Sequence, residues 1–278
     1  MHRLIAALLF MSLAGSALAD DIESEAPDDD SFQWQVMFEY AVQYDPTVLE
    51  VAEHDSFNDF SSGSFYLDVS YNGFFIQTDR HRTSTFSGEF GYQLIERDDW
   101  GLDIIAKVYL HGFDPASIER NNDKKHPGFE KITERNFGGG IALRYSYFEE
   151  NVFFSADLAT LDPSGKNEGW LFDLYYSHLT VYQNWDIYSG VGLSYFSQEL
   201  VDYYAGVTEQ ESSTHYPVYQ SGDGYKIEAQ VFGLYPLSQD WAFTAGMTHS
   251  LYSSSFSQSP IGLRKNITLY KLGVRYVF

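Results

Sequence analysis

The sequence predicts an all-β fold, a transmembrane antiparallel up-and-down β-barrel of twelve strands, with ten as the alternative count. Three observations predict it. After Phe32, hydrophobic and polar residues alternate with a period of two, the spacing at which a strand sends successive side chains to opposite faces. The alternating segments run to about 11–14 residues, and a tilted strand needs roughly 9–11 to cross a bilayer. Short turns between them alternate with long polar loops, the asymmetry of outer-membrane barrels.

Composition narrows the field. The chain has 278 residues, with 39 Asp plus Glu against 17 Lys plus Arg and a formal charge of -22. Such a balance excludes a nucleic-acid partner, because phosphate contact needs clustered Lys and Arg. There is no cysteine, so thiolate zinc sites, iron–sulfur clusters, disulfides and cysteine nucleophiles are excluded. Hydrophobic residues make up 44% and aromatics 18%, yet mean hydropathy is -0.29. The apolar residues are therefore interleaved with polar ones rather than gathered into helical spans.

Residues 1–19, MHRLIAALLFMSLAGSALA, read as a secretory signal. Arg3 gives the positive start, Leu4 to Ala14 the apolar core, and Ala17-Leu18-Ala19 the cleavage site. Residues 20–31 form an acidic segment that charge repulsion and a lack of apolar residues should keep disordered. Residues 32–278 are assigned to the barrel.

The final segment shows the facing. Tyr270, Leu272, Val274, Tyr276 and Phe278 share one parity, while Lys271, Gly273 and Arg275 share the other. A soluble sandwich would bury its apolar faces and charge its outer ones. Here the non-apolar parity is small and sparsely charged, which fits a lumen. The expected strands are 34–44, 63–71, 74–80, 84–94, 101–112, 134–147, 151–160, 169–182, 185–196, 223–236, 241–252 and 265–278. Short turns fall at Asn72-Gly73, 97–99, 149–151, Gln183-Asn184 and 237–240. Long loops fall at 45–62, 113–133, 161–168, 197–222 and 253–264, with a tight hairpin near 80–83. The glycine run at 138–140 should relieve crowding in a curved wall.

Trp100, Trp185 and Trp241 each follow a short turn, and Trp34 holds the matching place in the first strand. They form an expected aromatic belt, since an indole at headgroup depth buries its ring and keeps its N–H wet. Tyr276 and Phe278 close the last strand in the manner of an insertion signal read by the barrel-insertion machinery.

The last eighty residues resemble the MipA/OmpV family of Gram-negative outer-membrane proteins. The stretches that carry the likeness are LVDYYAGVT (200–208), HYPVYQSGDGY (215–225), YPLSQDWAF (235–243), SQSPI (257–261) and LGVRYVF (272–278). The first loop, YDPTVLEVAEHDSFNDF, lacks the glycine-containing element of the family. The resemblance implies a non-enzymatic scaffold linking the outer membrane to murein-remodelling enzymes, with a lytic transglycosylase and a penicillin-binding protein as partners. The implied alternatives are a narrow porin-like channel for small solutes, or a surface adhesin using loops 113–133 and 197–222. The family brings no catalytic motif. Tyr203, Tyr204, Gly206 and Val207 should fold their loop over or into the barrel mouth. Outer-membrane lipid and lipopolysaccharide surround such a barrel, which is expected to be monomeric.

Chemistry is sparse. His178 shares a face with Thr180, and His249 has no serine two positions away, so a lipid-hydrolase site is not supported. Glu50, Glu53, Asp55 and Asp59 lack calcium-loop spacing. No catalytic residue, metal or cofactor is expected. The inward parity carries Glu39, Asp68, Glu89, Asp103, Lys107, Arg144, Asp157, Asp173, Asp186, Glu228, Lys271 and Arg275. Twelve strands lie between the filled eight-strand barrel and the aqueous sixteen-strand one. These charges could pair and plug the lumen or line a narrow path, which their carboxylate surplus would make cation-selective.

Overall fold

A computed structural model of the chain describes residues 32–44, 46–52, 61–78, 82, 88–121, 125–162, 165 and 169–278. The expected signal 1–19, the acidic segment 20–31 and all but Arg82 of the hairpin at 80–83 lie outside the described residues.

Twelve strands follow one another: β1 Gln33–Tyr44, β2 Ser61–Tyr71, β3 Phe74–Thr78, β4 Gly88–Glu96, β5 Trp100–Leu110, β6 Gly138–Glu149, β7 Val152–Leu161, β8 Gly169–Tyr182, β9 Trp185–Phe196, β10 Gly224–Pro236, β11 Trp241–Tyr252 and β12 Asn266–Val277. Each pairs antiparallel with its sequence neighbours, and β1 pairs with β12 to close the barrel. Closure leaves no unpaired edge for hydrocarbon to contact. Among the described residues, no helix is long and apolar enough to cross a membrane.

Burial follows the two-residue period. On β8, Leu171, Asp173, Tyr175, Ser177 and Leu179 are buried, and Trp170, Phe172 and Tyr176 are exposed. The exposed parity is apolar around the ring: Phe65 is 63% exposed, Leu158 56%, Val191 55% and Leu272 57%. A water-soluble surface would not carry so continuous an apolar band; a bilayer covers it.

The turns explain the hairpins. Asn72 and Gly73 both have positive φ, 49° and 79°, the geometry of a two-residue turn whose twist matches the strands it joins. The strand ends differ from expectation by up to four residues, and the expected start of β4 at 84–87 lies outside the described residues. β4 starts at Gly88 and runs to Glu96, with a register shift between Gln93 and Ile95. The bulge turns Leu94 and Ile95 outward together, so simple alternation fails there. β6 starts at Gly138 rather than 134. Arg135 is drawn away from the wall into a bridge with Phe113.

The described parts of the loops 113–133, 197–222 and 253–264 are folded. They hold helices α1 (Pro115–Asn121), α2 (Gln198–Ala205) and α3 (Ser254–Ser257) and a 3-10 turn at Phe129–Lys131. Helix α2 buries Leu200, Val201, Tyr204 and Ala205 on one face. That face meets Leu49, Phe129, Ile132, Phe256, Ile261 and Leu263 from other loops and Leu171 and Phe196 from the upper wall. The apolar core thus sits in the mouth of the barrel and caps it.

Candidate functional site

The inward parity assembles ion pairs across the lumen. On one side Glu39 of β1 accepts from Arg275 of β12, Nε at 3.0 Å and Nη2 at 2.8 Å, and pairs with Lys271. Tyr66 of β2 donates to Glu39 at 3.3 Å and accepts from Lys271 at 3.2 Å. Its ring also lies 4.7 Å from the Arg275 guanidinium. Aligned neighbours make this possible, because Glu39 and Arg275 are register partners.

A second cluster centres on Arg144. Its Nη1 meets Glu89 Oε1 at 2.6 Å, and its Nε and Nη2 meet Asp157 at 2.7 and 2.8 Å. Tyr109 donates to Asp157 Oδ2 at 3.0 Å, and Lys107 lies 3.5 Å from the same oxygen. Gln77 of β3 also donates to Glu89. A third cluster lies nearer the long loops. Arg82, from the β3–β4 connection, reaches Asp173 of β8 at 2.7 Å and stacks 4.6 Å from the Tyr175 ring. Ser194 donates to Asp173 at 2.5 Å, and Lys226 lies 3.2 Å from Glu228. With ten other strands in the ring, β3 and β8 stand on nearly opposite walls. The Arg82 contact therefore crosses the lumen.

Ten of the twelve inward residues read from the sequence are buried: Glu39, Glu89, Asp103, Lys107, Arg144, Asp157, Asp173, Glu228, Lys271 and Arg275. Asp103 is level with Arg144 in the β5–β6 register. Asp68 and Asp186 are half-buried, and Asp68 accepts from the Thr78 amide at 3.3 Å. Sequence reasoning missed Arg82 and Lys226, which reduce the carboxylate surplus. Lys226 shares the parity of Glu228 two residues before it, a signal that would have found it. Arg82 lies outside every alternating segment and carries no such signal.

Trp34, Trp100, Trp185 and Trp241 all sit on the outward parity near one end of the wall, with Trp34 and Trp241 exposed. Trp241 packs on Tyr276 at 4.9 Å, and Tyr276 on the exposed Phe278 at 4.8 Å. The fifth tryptophan, Trp170, faces outward at the other end beside Tyr195, at 5.6 Å. Both ends of the apolar band thus carry indole. On the outer wall His249 Nδ1 lies 2.7 Å from Thr268 Oγ1 across the strand pair. The two polar groups satisfy each other there.

The cap has its own ion pair. Glu211 accepts from Arg135 at 2.8 Å, from Thr133 at 2.9 and 2.5 Å, and from Thr208 at 3.0 Å. Burial pushes its carboxyl up, but these hydrogen bonds outweigh burial and hold its pKa at about 2. The tyrosine pair grips the same strand approach. Tyr203 accepts from the Asn136 amide at 2.8 Å, and Tyr204 donates to the Asn136 carbonyl at 2.8 Å. Burial raises the Tyr204 hydroxyl. Gly206 supplies its carbonyl to Arg135 at 3.2 Å, and Val207 bridges to Tyr219.

Between cap and ion pairs lies a cavity of about 680 Å³. Its walls include Leu110, Leu171, Phe196, Phe256 and Leu269. Arg82, Lys107, Asp173, Lys226 and Glu228 provide its charge, and Pro46, Asp114 and Ser117 lie on its loop side. Among the described residues, no group of three or more His, Asp or Glu is placed to hold a metal.

The chain is similar in sequence to known outer-membrane proteins. The chain is 23% identical over 216 residues to the 24 kDa outer membrane protein of Pasteurella multocida, covering 76% of this chain and 80% of that one. It is 26% identical over 165 residues to outer membrane protein OmpV of Vibrio cholerae, covering 59% of this chain and 60% of that one. Among solved structures, the outer membrane channel DcaP of Acinetobacter baumannii aligns with a TM-score of 0.44 and 9% identity, covering 89% of this chain and 97% of that one. The wall, its apolar band and its relatives make this an outer-membrane protein. The family model described as "MltA-interacting protein MipA" matches residues 40–278, and the chain belongs to that family.

Proposed function

We propose that this chain is a non-enzymatic scaffold, a plugged barrel that ties the outer membrane to murein-remodelling enzymes. The observation that carries the reading is the obstructed lumen: Arg82 crosses to Asp173, Arg144 joins Glu89 to Asp157, and the apolar cap covers the mouth. A barrel filled this way offers a rigid platform rather than a diffusion path. The family description names an interaction with MltA, which supports a lytic transglycosylase as partner, with a penicillin-binding protein as the second enzyme. The short turns and the acidic segment 20–31 are the contact region. Tyr276 and Phe278 serve the insertion machinery, residues 1–19 direct export, and the barrel works as a monomer.

The test is co-purification of a lytic transglycosylase with the detergent-solubilised barrel, before and after deletion of residues 20–31, beside planar-bilayer recording. Retention that the deletion abolishes, without conductance, supports the scaffold. Steady conductance without retention would replace it with a second reading, a narrow small-solute path, which the cavity beneath the cap favours.

A further inference from the structure

We propose that the cavity beneath the cap binds an uncharged, multi-ring aromatic alcohol or phenol. This inference stands apart from the scaffold reading and uses neither the short turns nor the acidic segment.

Size is the first argument. About 680 Å³ lies in the range of pockets that enclose small ligands, roughly 300–1,000 Å³. An apolar cavity of roughly 150 Å³ already holds one benzene ring. The space here therefore suits a body of several rings.

Charge is the second argument, and it selects against ions. Arg82, Lys107 and Lys226 border the cavity, and Asp114, Asp173 and Glu228 match them in number. Arg82 lies 2.7 Å from Asp173, and Lys226 lies 3.2 Å from Glu228. Lys107 reaches down to Asp157 at 3.5 Å. An ionic guest would have to draw one of these charges from its partner or bury its own charge without one. An uncharged guest does neither.

The wall is the third argument. Leu110, Leu171 and Leu269 supply aliphatic surface, and Phe196, Tyr252 and Phe256 supply aromatic surface. These rings already stand edge to face: Phe256 meets Phe196 at 5.4 Å and 84°, and Tyr252 at 5.9 Å and 74°. A flat aromatic guest extends that array, because aromatic rings favour such pairings. The many hydroxyls of a sugar would lose their hydrogen bonds against the same wall.

A single hydroxyl does find a place. Asp173 accepts from Ser194 at 2.5 Å and meets two Arg82 nitrogens, at 3.2 and 2.7 Å. A carboxylate offers about four lone-pair sites. Among the described residues, one therefore remains for a guest hydroxyl without disturbing the Arg82 pair.

The probe is biphenyl-4-methanol, read by isothermal titration against the full barrel in lipid nanodiscs, with empty discs as blank. Biphenyl-4-carboxylate and biphenyl-4-ylmethylammonium give the same body an anionic or a cationic end. Saturable one-to-one binding of the alcohol is expected, with each ion at least ten-fold weaker. This comparison needs no variant. Leu110→Trp and Leu269→Trp, which fill the cavity from two walls, should each weaken the alcohol at least ten-fold. Leu158→Trp on the outer face should leave its affinity unchanged. Asp173→Asn removes one negative charge from the balance, so the carboxylate should bind at least ten-fold more tightly than to the unaltered barrel. Each variant is first shown to be folded by heat-modifiable electrophoretic mobility. Leu171→Trp replaces a filling variant that misfolds, and Glu228→Gln replaces Asp173→Asn. The proposal is overturned by any of four results: no saturable alcohol signal above empty discs, either ion binding as tightly as the alcohol, undiminished alcohol binding in a folded filling variant, or no gain for the carboxylate when a cavity carboxyl is neutralised.

Discussion

Arg144 on β6 and Asp157 on β7 stand directly opposite in the strand register and are joined by two parallel hydrogen bonds, at 2.7 and 2.8 Å. This fork-to-fork geometry is the strongest form of ion pair available to side chains. It sits where water is scarce, and it gathers Glu89, Lys107 and Tyr109 around it.

Asp157→Ala should therefore remove the carboxylate that two buried cations, Arg144 and Lys107, share. A loss of about 3–5 kcal/mol is expected, as for a buried pair that loses one member. The paired replacement Asp157→Leu with Arg144→Met should recover only part of it, because buried Glu89 then loses its Arg144 partner. Urea-unfolding midpoints in detergent would show both effects.

Val274 and Thr248 lie on opposite parities of the wall. Val274→Arg puts a charge among acyl chains and should cost about 2–4 kcal/mol. Thr248→Arg points into the lumen, where Thr248 borders the cavity, and should be tolerated better. Equal loss of heat-modifiable protein for the two would mean that the facing is wrong.

Glu211 fastens the loop cap, and its pKa of about 2 lies below the ordinary value of 4.5. A depressed carboxyl contributes stability above its unfolded value, and that contribution is lost as pH falls through the folded one. The cap should hold at pH 5 and loosen progressively from about 4.5 to 2. Pepsin works in this range: the 197–222 loop should resist cleavage at pH 4 and yield at pH 2. Glu211→Gln should yield at both.

Gly140 leaves no room for a side chain. A Cβ there would lie 2.6 Å from the Thr160 carbonyl oxygen and 2.8 Å from Leu161 Cγ. Gly140→Val should cost about 1–3 kcal/mol through overpacking. Gly139→Val faces open space and should cost less, which thermal denaturation would reveal.

Much of this was legible in the sequence because a membrane wall enforces one rule at every position. Ten of the charges that parity sends inward are buried, and a one-residue slip would put Glu39 or Arg144 into lipid. The strand count, including the short pair flanking residues 79–87, followed from the same rule. Legibility fails where the rule lapses. The bulge at Gln93 puts two neighbours on one face, and the residues before Gly138 answer to Glu211 and the tyrosine pair rather than to the wall. Arg82 finds Asp173 from far away in sequence, and the cavity depends on how five connections meet. None of these relations has a period.

The seam between β1 and β12 carries a further consequence. It unites residues from the two extremes of the barrel's chain, Met37 with Val277 and Tyr44 with Tyr270. No partial length of polypeptide can complete the cylinder, so the barrel remains open until its last-made strand arrives. Until then two raw borders would meet hydrocarbon with their amides unanswered. Losing that strand would thus cost the molecule its circularity, and with it every advantage the remaining strands possess.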